Sequence, residues 1–248
     1  MTRNTLVEKY NSEVSQEYLR DKIEGKKILV MGSGPSVDLR NWSNLNFDYM
    51  ATVSFWYNRP DLLQRNDIFL TAYSDLVDLS NPNLASYLNT HNTLVGFEEA
   101  NPPFYKSLDF KNFKDKYKSR YIDFKVKFRN EEKYMGLAGR ILYFVLNFNP
   151  STLYYIGLDG VSNNPEQDPS NSFRMGYRPE TTPKGSGARS YSNIRTSHLY
   201  MASTLHSQAK ARGTTLYNLG EGLPFNISGE YSKTHYPLSK EIIDLLKM

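Results

Sequence analysis

The stretch that most constrains the fold is Ile28–Met31, four consecutive apolar residues that lead directly into Gly32-Ser33-Gly34-Pro35-Ser36. A short apolar run that ends at a turn predicts a buried strand, and strands covered on both faces are typical of parallel sheets. Glycines let the main chain approach a ligand closely, and proline fits the first position of a helix. The stretch therefore predicts a strand, a tight turn and a helix start, with free amides in the turn that attract phosphate.

Two well-known phosphate loops do not fit this turn. A dinucleotide fingerprint would need a third glycine where Val37 stands, and a P-loop would need Gly-Lys followed by Ser or Thr. The remaining pattern is short, and a turn with a purely structural role is its alternative.

Apolar segments typical of strands alternate with helical segments along the rest of the chain. Strands are expected within 48–57, 67–74, 92–99, 151–161 and 214–220, and helices within 135–149 and 195–212. This alternation predicts an α/β fold, a single Rossmann-like domain with a mostly parallel sheet and helices on both faces.

The expected organisation has three parts. A leader helix over 1–25 precedes one Rossmann-like domain over 26–230, and a tail helix follows over 231–248. Within the domain, residues 162–195 are rich in Asn, Pro, Ser and Gly, which predicts a mobile lid. A second unusual segment covers residues 104–134.

Composition excludes several classes of protein. The 248 residues include no cysteine, which excludes disulfides and thiolate metal sites. No apolar run approaches the length of a transmembrane helix, and the N-terminus lacks the apolar region of a signal peptide. We therefore expect a cytoplasmic protein, and its net charge of +4 mildly favours anionic ligands.

Residues 104–134 interleave Lys and Arg with Phe and Tyr. Such a mixture is typical of a nucleic-acid platform or of a surface that lies against anionic lipid. The favoured interpretation is a helical insertion whose aromatic face packs on the domain, because Asp109, Asp115 and Asp123 interrupt the positive charge. No nucleic-acid partner is expected, and a peripheral contact with the inner membrane surface through this segment stays open.

Four short motifs follow one another along the chain. They are the Gly32–Ser36 turn, a strand that ends in a polar residue, Gly139-Arg140-Ile141-Leu142 on a helix, and "YYIGLDGV" over 154–161. Together they resemble glycosyltransferase family 42, the bacterial sialyltransferases, and the related superfamily of flagellin-modifying transferases and archaeal-type 6-hydroxymethylpterin pyrophosphokinases. This resemblance implies that residues 26–230 form a nucleotide-binding transferase domain. The resemblance, over about residues 27–219, implies a sialyltransferase-like, inverting glycosyltransferase with a nucleotide-sugar donor, CMP-linked by preference. A glycan or lipid-linked acceptor and no further cofactor are implied, and a homo-oligomer stays open.

The resemblance also implies which residues contact the donor nucleotide. They are Gly32, Ser33, Gly34, Pro35, Ser36, Ser54, Asn58, Ser74, Asp75, Gly139, Gly157, Leu158 and Asp159. Two positions depart from the family pattern. Ser54 stands where the family has an asparagine, with Asn58 four residues later, and Leu137-Ala138 lack the hydroxyls that precede the family's helix glycine. Asp159 has a helix or turn cap as its alternative role.

For the chemistry, the resemblance implies His198 as the general base, because it lies near the family's histidine before the helix that follows the lid. His206 lies two turns further along, and a helix cap is the alternative role for His198. Tyr177 and Tyr191 are the candidate donors to the leaving phosphate. Positive charge from the same segment comes from Arg195, together with Arg174, Arg178 and Arg189, and a disordered linker with incidental charge is the alternative interpretation of this segment.

No Asp-x-Asp and no group of three His or carboxylate ligands is evident in the sequence, so no metal requirement is expected. Two other functions stay open. One is a Mg²⁺-dependent transfer of diphosphate from ATP to a pterin alcohol, with Asp75 and Asp159 as metal contacts. The other is a non-catalytic module that binds nucleic acid or a membrane surface through 104–134. The departures at Ser54 and Ala138 also allow a catalytically silent relative.

Overall fold

The computed structural model describes residues 9–12, 14–34, 36–74, 77–98, 102–125, 136–158, 204–220 and 240–246. The strands are β1 (Lys9–Ser12), β2 (Lys27–Met31), β3 (Tyr49–Val53), β4 (Ile68–Tyr73), β5 (Leu94–Glu98), β6 (Tyr121–Lys125), β7 (Thr152–Ile156) and β8 (Thr215–Asn218). The α-helices are α1 (Gln16–Ile23), α2 (Ser36–Leu39), α3 (Pro60–Leu63), α4 (Pro82–Thr90), α5 (Pro102–Lys106), α6 (Leu108–Lys116), α7 (Gly136–Leu146), α8 (residues 204–212) and α9 (Lys240–Leu246). Short 3-10 helices span Trp42–Asn44, Trp56–Asn58 and Lys118–Arg120.

The strands form one sheet in the order β1-β6-β5-β4-β3-β2-β7-β8. From β6 to β8 all neighbours in this order pair in parallel, and β1 pairs antiparallel with β6 at the edge. The chain adds β3 to β6 on one side of β2 and then returns to place β7 and β8 on its other side. The predicted α/β class with a mostly parallel, Rossmann-like sheet is confirmed.

Helices cover both faces of the sheet, as predicted. On one face, α1, α7 and α8 pack Leu19, Ile141 and Leu205 against alternate residues of the strands. On the other face, α4 and α6 contribute Leu88 and Phe113. The parallel strands are apolar on both sides because both sides are buried. Among the helices that the structure describes, none combines the length and the apolar character that a membrane crossing requires.

The predicted leader helix over 1–25 is wrong for part of its length. Residues 9–12 form the edge strand β1, and the helix α1 covers only Gln16–Ile23. The Ser15 side chain caps α1 by accepting a hydrogen bond from the Tyr18 amide (3.1 Å), and Gly25 ends the segment with φ of 69°. β1 has the polar sequence Lys-Tyr-Asn-Ser, so it lacks the apolar residues by which a strand is recognised in a sequence.

The basic and aromatic segment is not an insertion over its described part. Residues 102–125 build α5, α6 and β6, and β6 lies inside the sheet between β5 and β1. The aromatic rings of the segment surround Phe97 of β5 with centroid distances of 5.0–6.4 Å; they are Phe104, Tyr105, Phe110, Phe113 and Tyr121. The aromatic side chains therefore belong to the core, which agrees with the interpretation that they pack on the domain.

The C-terminal helix α9 docks against the 3-10 helix Trp42–Asn44. Leu246 is buried in the same cluster as Trp42, and the carbonyls of Leu245 and Leu246 accept hydrogen bonds from Asn44 Nδ2 and the Asn41 amide (3.2 Å each). The end of the described chain is thus tied to the segment that follows α2.

Candidate functional site

The sheet has its topological switch point between β2 and β7. The chain leaves β2 towards β3 on one side, and β7 lies on the other side of β2. In open parallel sheets, ligands bind in the crevice outside the carboxyl ends of the strands at such a point. Gly32-Ser33-Gly34 follow the carboxyl end of β2, and Gly157-Leu158 follow that of β7. The structure therefore brings together two motifs that the sequence singled out separately.

Hydrogen bonds join the two turns at the switch point. The Gly32 amide donates to the Ile156 carbonyl (2.7 Å), and the Gly34 amide donates to the Gly157 carbonyl (2.9 Å). In return, the Gly157 amide donates to Ser36 Oγ (3.0 Å), which is buried. These contacts hold the exit of β2 against the exit of β7.

This network corrects the expectation that the turn presents a set of free amides. The amides of Gly32 and Gly34 are already bonded within the protein. Ser33, which is itself buried, is the residue of the turn whose amide has no hydrogen-bond partner in the described part of the chain. A ligand at this turn would therefore meet the Ser33 amide and side chains from neighbouring loops rather than a full ring of amides.

The main chains of Gly32 and Gly157 approach so closely that neither position has room for a side chain. A Cβ on Gly32 would lie 2.4 Å from the Gly157 carbonyl oxygen, and a Cβ on Gly157 would lie 2.7 Å from the Gly32 carbonyl carbon. Gly157 also has φ of 75°, which favours glycine. The close approach of two main chains thus accounts for both glycines.

Ser54 follows β3 in a left-handed backbone conformation with φ of 57°. Its amide donates to the Ala72 carbonyl (2.9 Å), so the β3–β4 pairing continues through this residue. Such a conformation costs a residue other than glycine or asparagine about 1–2 kcal/mol. Strained residues of this kind cluster at ligand sites, and Ser54 lies at the same edge of the sheet as the switch point.

We expect Ser54→Gly to stabilise the protein by about 0.5–1 kcal/mol, because the relief of strain exceeds the entropy that glycine adds to the unfolded chain. The free energy of unfolding from denaturant titration measures the effect. Ser86→Gly on the exposed side of α4 is the matched control, and it should destabilise by about 0.5 kcal/mol. A loss of stability in both variants would contradict the strain at Ser54.

Other predicted contacts in the described ranges lie along the same edge. Asn58 ends the 3-10 helix after β3 and is exposed, and Ser74 follows β4 and is half-buried. Leu158 packs against the cluster that contains α7. Gly139 is buried in α7, whose first turn lies at the carboxyl edge because the helix runs back to the start of β7. Ser36 and Gly139 are thus turned into the protein rather than towards a ligand.

Seven predicted site residues lie outside the described residues and stay predictions. They are Pro35, Asp75, Asp159, Tyr177, Tyr191, Arg195 and His198. The predicted lid over 162–195 lies outside them as well.

Two histidines, His91 and His206, lie within the described ranges. His91 follows α4 at the opposite edge of the sheet and stacks on Tyr87 with ring centroids 4.0 Å apart. His206 lies in α8, where burial and then the nearby Lys210 charge lower its pKa. His91 is therefore not a candidate general base for the switch point, because it lies at the other edge of the sheet.

A charged cluster at the carboxyl edge is absent from the sequence predictions. Arg59 donates to both oxygens of Asp61, from Nε (3.1 Å) and Nη2 (2.9 Å), and its Nη1 contacts Asp38 Oδ1 on α2. Burial acts to lower the pKa of Arg59, but the Asp61 and Asp38 carboxylates offset it, and the net shift of this pKa is upward. The Arg-Pro-Asp spacing is a local sign of the first pair, whereas Asp38 stands 21 positions away.

The two carboxylates of this cluster are paired with Arg59. Across the described ranges, no group of three or more His, Asp or Glu side chains is placed to hold a metal ion. The cluster therefore presents one guanidinium between two acids, beside the turn that follows β2.

Comparisons with known proteins give only distant likenesses. No family model and no curated protein sequence matches the chain. Among solved structures, the monofunctional alpha-2,3-sialyltransferase Cst-I from Campylobacter jejuni is similar with 16% identity and a TM-score of 0.49, over 98% of this chain and 86% of that chain. The sialyltransferase CstII from Campylobacter jejuni in complex with CMP-3FNeuAc, a substrate analogue, shows 13% identity and a TM-score of 0.47, over 78% of this chain and 81% of that chain. Identities and TM-scores this low do not assign the chain to a family, so the fold class rests on the strand order and pairing described above.

Proposed function

We propose that the chain is a metal-independent glycosyltransferase that uses a nucleotide-activated sugar, with a CMP-linked acidic sugar as the favoured donor. The acceptor would be a hydroxyl of a glycan or of a lipid-linked sugar. The observation that carries the proposal is the switch point between β2 and β7, where Gly32-Ser33-Gly34 and Gly157-Leu158 meet at one edge of a parallel sheet.

Several features of this edge support nucleotide binding. Ser33, whose amide has no hydrogen-bond partner among the described residues, follows β2 at its carboxyl end, and the strained Ser54 and the exposed Asn58 follow the neighbouring strand β3. Loops that follow such strands usually contact the phosphate and the nucleoside of a bound nucleotide. Ser74 adds a hydroxyl at the end of β4. The edge thus offers hydrogen-bonding groups from three adjacent loops.

In the proposed reaction, the acceptor hydroxyl oxygen attacks the anomeric carbon of the donor sugar. The bond between that carbon and the phosphate oxygen breaks, and the nucleoside monophosphate leaves with the electron pair. His198 would take the proton of the acceptor hydroxyl, and in-line attack would invert the configuration at the anomeric carbon. Tyr177, Tyr191 and Arg195 would donate hydrogen bonds to the leaving phosphate.

We expect CMP to raise the thermal midpoint of unfolding, and to do so equally with EDTA and with Mg²⁺. A ligand that binds only the folded state stabilises it by about 2.7 kcal/mol at one hundred times its Kd. The measurement is a thermal-shift panel with CMP, CDP, UDP, GDP, ADP and ATP, each in both conditions.

The panel also separates the rival functions. A shift by ATP that requires Mg²⁺ would favour the transfer of diphosphate instead. If none of the nucleotides shifts the midpoint, the proposal of a nucleotide-sugar donor fails. Cytidine, which lacks the phosphate, is the control for binding through the base and ribose alone.

A further inference from the structure

We propose that Arg59 is a phosphate-binding residue of the donor site, and that Asp38 holds its guanidinium until a nucleotide replaces this carboxylate. The inference rests on the proposed function, because it names a residue that positions the donor. Neither the turn after β2 nor the motifs of the sequence point to Arg59.

Arg59 joins the segment that follows β3 to the segment that follows β2. It follows the 3-10 helix Trp56–Asn58, which leads away from the carboxyl end of β3. Asp38 lies on α2, two residues after Ser36, whose hydroxyl contacts the Gly157 amide. The contact between Arg59 Nη1 and Asp38 Oδ1 therefore spans the space between the first two loops of the candidate donor site.

The geometry fixes one side of the guanidinium and leaves the other exchangeable. Asp61 accepts from Nε and Nη2 in a two-point contact, which sets the orientation of the planar group. Nη1 contacts one oxygen of Asp38, Oδ1. Of the contacts with these two carboxylates, the one-point contact with Asp38 is therefore the one that a stronger anion could replace.

The exposures of the side chains favour such an exchange. The Arg59 side chain is 17% exposed, whereas the Asp38 side chain is 46% exposed. A carboxylate this open to water loses little when its ion pair breaks. A phosphate gains a charge-assisted hydrogen bond from a mostly buried guanidinium, and such bonds are the stronger ones. The balance favours the phosphate over Asp38 as partner of Nη1.

The cluster also carries a net negative charge in the absence of ligand. Two carboxylates face one guanidinium, so an incoming phosphate would be repelled until Asp38 turns away. Removal of the Asp38 charge should therefore help an anionic ligand, although it removes an ion pair of the folded protein. If Arg59 binds the ligand, loss of the Asp38 charge raises the affinity for the anion. If the pair only holds the two loops together, the same change lowers that affinity.

The test is calorimetric titration of CMP and cytidine into the wild type and the variants Arg59→Gln and Asp38→Asn. We expect Arg59→Gln to weaken CMP at least about tenfold, the size of one charge-assisted hydrogen bond. We expect Asp38→Asn to tighten CMP about threefold, since it removes a competing charge. Cytidine should bind all three proteins alike. Lys27→Gln and Asp21→Asn are the matched controls for loss of one charge, because both side chains are exposed and remote from this cluster.

Each outcome decides between roles. If Asp38→Asn weakens CMP as Arg59→Gln does, the pair is a structural tie and the inference is overturned while nucleotide binding stands. If Arg59→Gln unfolds the protein, CMP titration of Arg59→Lys and of Asp38→Asn still distinguishes the two roles. Tighter binding of CMP by Asp38→Asn supports the inference, and weaker binding overturns it. A wild type that binds neither CMP nor cytidine would overturn the proposed function together with this inference.

Discussion

Replacement of Gly157 by alanine should lower the free energy of unfolding by about 3 kcal/mol. The left-handed backbone with φ of 75° costs alanine about 1 kcal/mol or more. The added Cβ would lie 2.7 Å from the Gly32 carbonyl carbon and 2.8 Å from Val37 Cγ2, and overpacking of this kind costs about 1–3 kcal/mol. Val37 could move, but the main chain of Gly32 is held by its hydrogen bond to Ile156. Denaturant titration gives the value directly.

Gly213→Ala is the matched control for the backbone term. Gly213 has φ of 71°, close to that of Gly157, but a Cβ there would meet nothing within 4 Å. Its substitution should cost only about 1 kcal/mol. Equal losses in the two variants would contradict the close contact between the turns of β2 and β7. The difference between the two losses in the free energy of unfolding measures the cost of the steric contact between Gly157 and Gly32.

His198→Ala should reduce the rate of sugar transfer by about 100-fold to 10,000-fold, the usual contribution of a general base. Affinity for CMP should change little, since the base acts on the acceptor hydroxyl and not on the nucleotide. A steady-state assay with a CMP-linked sugar gives kcat, and titration with CMP gives the affinity. The acidic limb of the pH–rate profile should also disappear, because it reports protonation of the base.

His206→Asn, at the next histidine along the chain, is the control for this substitution. It removes an imidazole whose pKa is lowered by burial and by Lys210, within a helix that packs on the sheet. Transfer should persist in this variant. Full activity in His198→Ala would remove this residue from the proposed role, and loss of activity in His206→Asn alone would move the role to His206.

The central strands were predictable because burial on both faces makes them apolar. β3, β4, β5 and β7 lie within segments that the sequence marks as strands, and β2 begins one residue before the predicted Ile28–Met31. The edge strand β8 also lies within a predicted segment. The end of α8 was predictable for a local reason, since Gly213 adopts the left-handed conformation that stops a helix. Alternation of strands and helices then gave the fold class.

The two strands at the far side of the sheet were not predicted. β1 is polar and gains its conformation from pairing with β6. β6 carries the buried Asp123 within a segment rich in lysine. β1 pairs with a segment more than a hundred positions away, and β6 pairs with both β5 and β1. No local pattern in the sequence reports these pairings.

The sequence marks the two glycine turns of the candidate site, but it does not predict the contacts between them. The turns after β2 and β7 each carry glycines, and the sheet topology brings them together. Which amides remain free depends on the approach of Gly157 to Gly32, and the sequence alone does not give this distance. The contact between Arg59 and Asp38 likewise depends on how two loops lie side by side. Local motifs therefore indicated the edge of the sheet, whereas the hydrogen-bond and ion-pair partners depend on tertiary contacts.

The pairing of β2 with β7 has a consequence for synthesis on the ribosome. The Ser36 hydroxyl meets the Gly157 amide across 121 positions of the chain. During vectorial translation, β2 to β6 can emerge and associate while one side of β2 still has no neighbour. That open side is an apolar strand edge in the nascent polypeptide, which invites chaperone binding or misassembly. The contact between the turns that follow β2 and β7 forms only after β7 has left the exit tunnel, so the candidate site is assembled late in elongation.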